Sequence, residues 1–71
     1  MGIEEEELKV EFFDCVCIAA TVKAILVKLP EMEQPQWFPQ SQVDADSEVW
    51  KQGDEGTLVV SRWIAKQKGL V

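Results

Sequence analysis

The chain has 71 residues, 46% of them hydrophobic, with three tryptophans, two cysteines, no histidine and a formal net charge of −6. A chain of this size forms one domain, residues 1–71, and buries only about 60% of its unfolded surface, so it needs a staple or a second copy to be more than marginally stable. Too few cysteine and histidine ligands exclude a closed zinc site, and the acidity repels phosphates and anionic lipid at long range, which sets a protein partner above nucleic acid.

Glu4 to Glu7 forms a run of four carboxylates, read as a solvated arm over residues 1–7. Leu8, Val10 and Phe12 then alternate with Glu7, Lys9 and Glu11, the period of a strand with one wet face. Phe13-Asp14 interrupts the alternation. The chain resumes as CVCIAATVKAILVKL, a stretch rich in β-branched residues that is covered on both faces or bent between two surfaces. Pro30 to Glu33 reads as a turn, so that Val22 to Leu29 and Gln34 to Phe38 form a central hairpin that ends at Pro39. Ser41 to Asp46 suits a loop or a single helical turn. Val49-Trp50 supplies a brief strand or an anchoring contact, and Gly53 to Gly56 a turn.

The closing segment is the best punctuated. Thr57 to Val60 reads as a strand, Ser61 as a helix cap, Arg62 to Lys68 as two turns of helix and Gly69 as a left-handed stop, with Leu70 folding back on Ile64 or Ala65. Trp63 and Ile64 are expected to face the sheet. Charge divides along the same line, with four lysines against thirteen carboxylates in residues 1–56 (−9) and Arg62, Lys66 and Lys68 alone in residues 57–71 (+3).

Little in this sequence suggests catalysis. There is no histidine or tyrosine, no glycine-rich phosphate loop, and no candidate base beside the serines, so the chain reads as a non-enzyme that holds no cofactor and no metal. Asp44, Asp46 and Glu48 open like a calcium loop, but Val49 occupies the position where the sharp turn needs glycine, and a solvated acidic loop fits better. Cys15 and Cys17 sit two apart on an extended strand, about 6.5–7 Å between Cα atoms, which is too far for a disulfide. They read as small core residues in a reducing, cytoplasmic setting, and self-association, most simply as a homodimer, is the staple that remains. The acidic N-terminus and the longest apolar stretch, Cys15 to Leu29, broken by Thr21, Lys23 and Lys28, give no export or membrane signal.

The tryptophans carry two readings. In one, Trp37 or Trp50 lies on the surface and binds a partner; in the other, all three with Phe38 fill the core. The core reading is favoured for Trp37 and Trp63, and Trp50, near Glu48 and Lys51, is balanced between the two. The candidate partner-binding residues are therefore Trp37, Trp50, Asp44, Asp46, Glu48, Arg62 and Lys66.

The segments KAILVKL, QWFPQSQV and GTLVVSRWIAKQKGLV together resemble a group of small uncharacterised proteins carried by phages and other mobile elements. Their pattern is a lysine-alanine-apolar strand, a tryptophan-x-proline-lysine-serine-glutamine stop, and an apolar strand leading into a tryptophan-x-alanine-x-x-lysine-glycine-leucine helix. The match runs from Thr21 to Val71 and departs from the pattern at Gln40, where lysine is expected, and at Val22, where an acid is expected. The resemblance implies a β-rich fold closed by a helix and a mobile-element setting.

The expected fold is α+β, a small bent antiparallel sheet or partial β-barrel of four or five strands with one short C-terminal helix. The expected function is a non-catalytic module that binds a host protein, an acidic inhibitor of a nuclease or CRISPR effector. The alternatives are an accessory nucleic-acid-binding module in phage replication or recombination, and a homo-oligomeric structural protein in which Cys15 to Leu29 pairs across a two-fold axis.

Overall fold

A computed structural model describes residues 9–71. The expected acidic arm over residues 1–7 and Leu8 lie outside the described residues.

Four antiparallel strands form one curled sheet, a half-barrel in the order β3-β2-β1-β4: β1 (Lys9–Ala20), β2 (Ala24–Lys28), β3 (Gln36–Pro39) and β4 (Glu55–Ser61), followed by the helix α1 (Arg62–Gln67). The bend comes from β1. Val10 and Phe12 point inward opposite Val60 and Leu58, but Cys15 is the next residue in register, opposite Gly56, so an extra residue is inserted between Phe12 and Cys15. Asp14 takes up the excess at φ 60°, a left-handed conformation that aspartate tolerates better than most side chains. The consequence is a phase shift: Cys15 and Cys17 point into the core instead of outward. β1 then leaves β4 and pairs its second half with β2, through a second irregularity between Cys17 and Ala19.

The apolar stretch Cys15 to Leu29 is thus two strands, not one. Thr21 makes the turn between them, its hydroxyl accepting from the amides of Ala24 at 3.0 Å and Lys23 at 3.3 Å. Cys15 and Val16 also pair with β4, and β2 pairs on its far side with β3. Within this chain the segment is occupied by its own hairpin and by its pairing with β4 and β3, so both of its strands lie inside the sheet. The central hairpin of β2 and β3 forms as expected, with Ile25 opposite Phe38 and Leu26 opposite Trp37.

Residues 40–54 close the open side. A 3-10 turn (Gln40–Gln42) leads to Val43, which bridges to Val60, and the amides of Asp44 and Glu48 donate to Val59 O and Thr57 O, each at 2.8 Å. The free edge of β4 is thereby covered. Val43 and Val49 drop into the core, and Trp50 packs against it with its indole N–H donating to Ser47 O at 2.8 Å. Val49-Trp50 therefore acts as an anchor and adds no fifth strand. The core is built from Phe12, Leu29, Phe38, Leu58, Val60 and Ile64, with Cys15, Cys17, Ile25 and Val27 at its floor.

The helix is capped at both ends. Ser61 Oγ accepts from the amide of Ile64 at 3.2 Å and donates to Gln42 Oε1 at 2.5 Å. Gly69 sits at φ 74°, with the amide of Leu70 bonded to Ala65 O and that of Gly69 to Lys66 O, the Schellman arrangement, and Leu70 returns to the core. Ile64 and Ala65 are buried, whereas Trp63 is 57% exposed. This corrects the expectation that Trp63 faces the sheet: a helix starting at Arg62 directs its third and fourth residues inward and leaves its second in solvent. Trp63 is not a core tryptophan, and its truncation removes surface area.

Candidate functional site

The outward positions of the first three strands form an apolar face that nothing in the described chain covers. Alternation from Cys15 and Cys17 places Val16 and Ile18 outside, alternation from Ile25 and Val27 places Leu26 outside, and alternation from Phe38 places Trp37 beside Leu26. Phe13, on the bulge, is 62% exposed and Trp37 46%. Large exposed apolar side chains gathered on one face of a small chain mark an interaction surface more often than scattered ones do.

Charge on this face is one-sided. Glu55 stands directly opposite Val16, Glu11 lies opposite Val59, and Asp14 is exposed on the bulge. None of the three carboxylates is in an ion pair among the described residues, whose salt bridges join Lys9 to Asp44 and Asp46 only. Lys28, the cation in register with Val16, is turned aside, its ammonium donating to Leu29 O and Met32 O. Between the bulge and β4 lies an open hollow of about 360 Å³ lined by Asp14, Cys15, Val16, Glu55 and Gly56.

The sequence-derived candidates do not gather in one place. Trp37 is on the apolar face, where its exposure corrects the core reading favoured for it. Trp50 is half-buried and anchors the covering loop through its bond to Ser47 O, away from the apolar strip of the first three strands. Asp44 and Asp46 converge on Lys9 Nζ at 3.6 and 3.5 Å, and Asp44 Oδ2 also accepts from the amide of Asp46 at 2.9 Å. Glu48 turns the other way and accepts from the amide of Thr57 at 2.8 Å, a structural bond. Arg62 and Lys66 are exposed on α1 with Trp63, away from the face. Phe13, Val16, Ile18 and Leu26 were missed. For the three on β1 the signal was the broken alternation after Phe12, which, read as a one-residue bulge, reverses the facing of Cys15 to Ile18; Leu26 follows from the alternation of β2.

Gln40 and Val22 both lie at the β1–β2 turn. Gln40 donates from Nε2 to Thr21 O at 2.7 Å, pinning the β1–β2 turn with a donor that a lysine also supplies. Val22 is 91% exposed at the tip of that turn.

The two cysteines are free and buried. Burial pushes the Cys15 thiol up from 9.0 to about 11, and burial also raises Cys17. Because the folded-state value of Cys15 lies above the unfolded one, its contribution to stability is whole below pH 9.0 and is lost as the pH climbs towards 11. Native protein at pH 8 is expected to resist an aromatic disulfide reagent at both thiols and to react with two equivalents once unfolded in guanidinium. Rapid labelling of the native protein would show that β1 opens at the bulge.

Among the described residues, no helix is long and apolar enough to cross a membrane. Comparison of the chain with protein-family profiles, with curated proteins and with solved structures gives no match.

Proposed function

We propose that this chain is a non-catalytic protein-interaction module of a phage or mobile element, working in the host cytoplasm, and that its contact surface is the convex face formed by Phe13, Val16, Ile18, Leu26 and Trp37. The observation that supports it is the exposure of Phe13, Val16, Ile18 and Trp37 on one face of the sheet, with Leu26 half-buried among them. Small size, acidity and the absence of nucleophile-and-base pairs favour binding over catalysis, and a nucleic-acid-handling host effector is the target class that an acidic surface suits. Tagged protein is expected to capture a stoichiometric host protein from lysate whether or not nuclease is added. Capture that vanishes with nuclease would defeat this reading.

A second reading rests on Trp63, which is 57% exposed on a helix that also carries Arg62 and Lys66, a combination suited to stacking on single-stranded nucleic acid. It requires binding that weakens steeply from low to physiological salt.

A further inference from the structure

If the convex face is a docking surface, as proposed above, its dimensions and charge restrict what can occupy it. From Phe13 to Ile18 the face runs about 16 Å along β1, and from β1 to β3 it spans about 10 Å, given about 3.3 Å per residue and 4.8 Å between strands. That is the footprint of one strand or one helix. It falls far short of the roughly 800 Å² per partner that a stable interface between globular surfaces buries. A second copy is a poor occupant for this reason and for another: it would bring the same Glu11, Asp14 and Glu55 carboxylates to the contact.

We infer that the face receives a short segment of a partner protein that presents arginine or lysine beside aliphatic side chains, with the cation seated in the bulge hollow between Asp14 and Glu55 and the aliphatic groups lying on Val16, Ile18, Leu26 and Trp37. The hollow opens beside the apolar strip, because Val16 lines it and also begins the row that continues to Ile18. Its two carboxylates stand in no ion pair among the described residues. The competing internal cation, Lys28, is held by two carbonyls, and Lys23 lies in the turn at the far end of the face. An incoming guanidinium or ammonium therefore meets negative charge and displaces no salt bridge, while its aliphatic neighbours remain on apolar surface. A segment bearing carboxylates in place of the cations meets the repulsion of all three acids.

The test is an amide-resolved NMR titration of the ¹⁵N-labelled full chain with the peptide acetyl-Leu-Arg-Val-Arg-Leu-amide. The same peptide with citrulline for arginine serves as its uncharged match. Shifts are expected at the amides of Phe13 to Ile18 and at Glu55, falling at least threefold with the citrulline peptide. A comparable fall is expected when the arginine peptide is added to Asp14→Asn/Glu55→Gln, a variant in which asparagine keeps the left-handed backbone accessible. Equal responses to both peptides, shifts centred on Asp44 to Glu48, or no response at millimolar peptide would each overturn the inference. The comparison of the two peptides on the unmodified chain needs no variant to fold. Failure here is separable from failure of the docking role: a host protein captured through Ile18 without a cation at the bulge keeps the role and sinks only the chemistry assigned to its partner.

Discussion

Phe38→Ala is expected to cost about 3–5 kcal/mol, the range for large truncations in a core, whereas Trp37→Ala, one residue away, is expected to cost about 1 kcal/mol or less. The two side chains leave the same edge strand in opposite directions. Phe38 is fully buried opposite Ile25, while Trp37 lies in partial contact with solvent opposite Leu26. A domain of this length has a total stability of roughly 4–10 kcal/mol, so the first substitution leaves much of the population unfolded and the second leaves the fold intact. Urea denaturation followed by circular dichroism measures both. Binding should invert the order of importance: in a folded Trp37→Ala variant, loss of the largest aromatic anchor of the face is expected to weaken partner capture by about 30-fold or more, corresponding to at least 2 kcal/mol. Similar stabilities for the two variants would mean that β3 is not oriented as described.

Gly56→Ala is expected to destabilise the domain by about 2–4 kcal/mol. The backbone at Gly56 has φ 142°, which an L side chain adopts only with strain, about 1–3 kcal/mol. An added Cβ would also collide with Glu48 Oε1, forcing that carboxylate off the amide of Thr57 and forfeiting a bond of about 1 kcal/mol. A double-mutant cycle separates the two contributions. In a Glu48→Ala background the carboxylate clash is gone and the backbone strain remains with a tight 3.2 Å approach to the Cβ of residue 48, so the cost of Gly56→Ala should fall by about 1 kcal/mol. A cost unchanged by Glu48→Ala would place the whole effect in the backbone. Either way, Glu48, which sequence reasoning placed among the partner contacts, is tested as a staple between the covering loop and β4.

Much of the architecture was legible because its signals are local. Ser61 and Gly69 bracket the helix through bonds that a cap and a left-handed stop always make, and the β2–β3 hairpin follows from an apolar run, a proline-led turn and a second short apolar run. What escaped was facing, which depends on single-residue offsets. One extra residue at Phe13-Asp14 turns Cys15 and Cys17 inward and Val16 and Ile18 outward, and composition alone does not distinguish the two phases. The same holds for the helix, where a start at Arg62 buries Ile64 and Ala65 and exposes Trp63. Hydrophobicity placed Trp37 and Trp63 in the core, while the core is in fact filled by Phe12, Phe38 and aliphatic residues. The acidic candidates escaped for a different reason. Asp44, Asp46 and Glu48 are adjacent in sequence, but their carboxylates serve Lys9 on one side and Thr57 on the other, and that division appears only once β4 lies beside the covering loop.

The central claim is that the convex face of the sheet is a surface for a partner and not part of the protein's own packing. Ile18→Lys tests it most directly, since Ile18 is outward on β1 and contributes little to the core. The variant and the unmodified chain would be compared by thermal melting and by nuclease-treated capture from lysate. The account predicts a melting transition within a few degrees of the parent, together with loss of the captured protein. A large fall in melting temperature, or capture that survives Ile18→Lys and is lost on Trp63→Ala, would contradict it and move the contact surface to the helix.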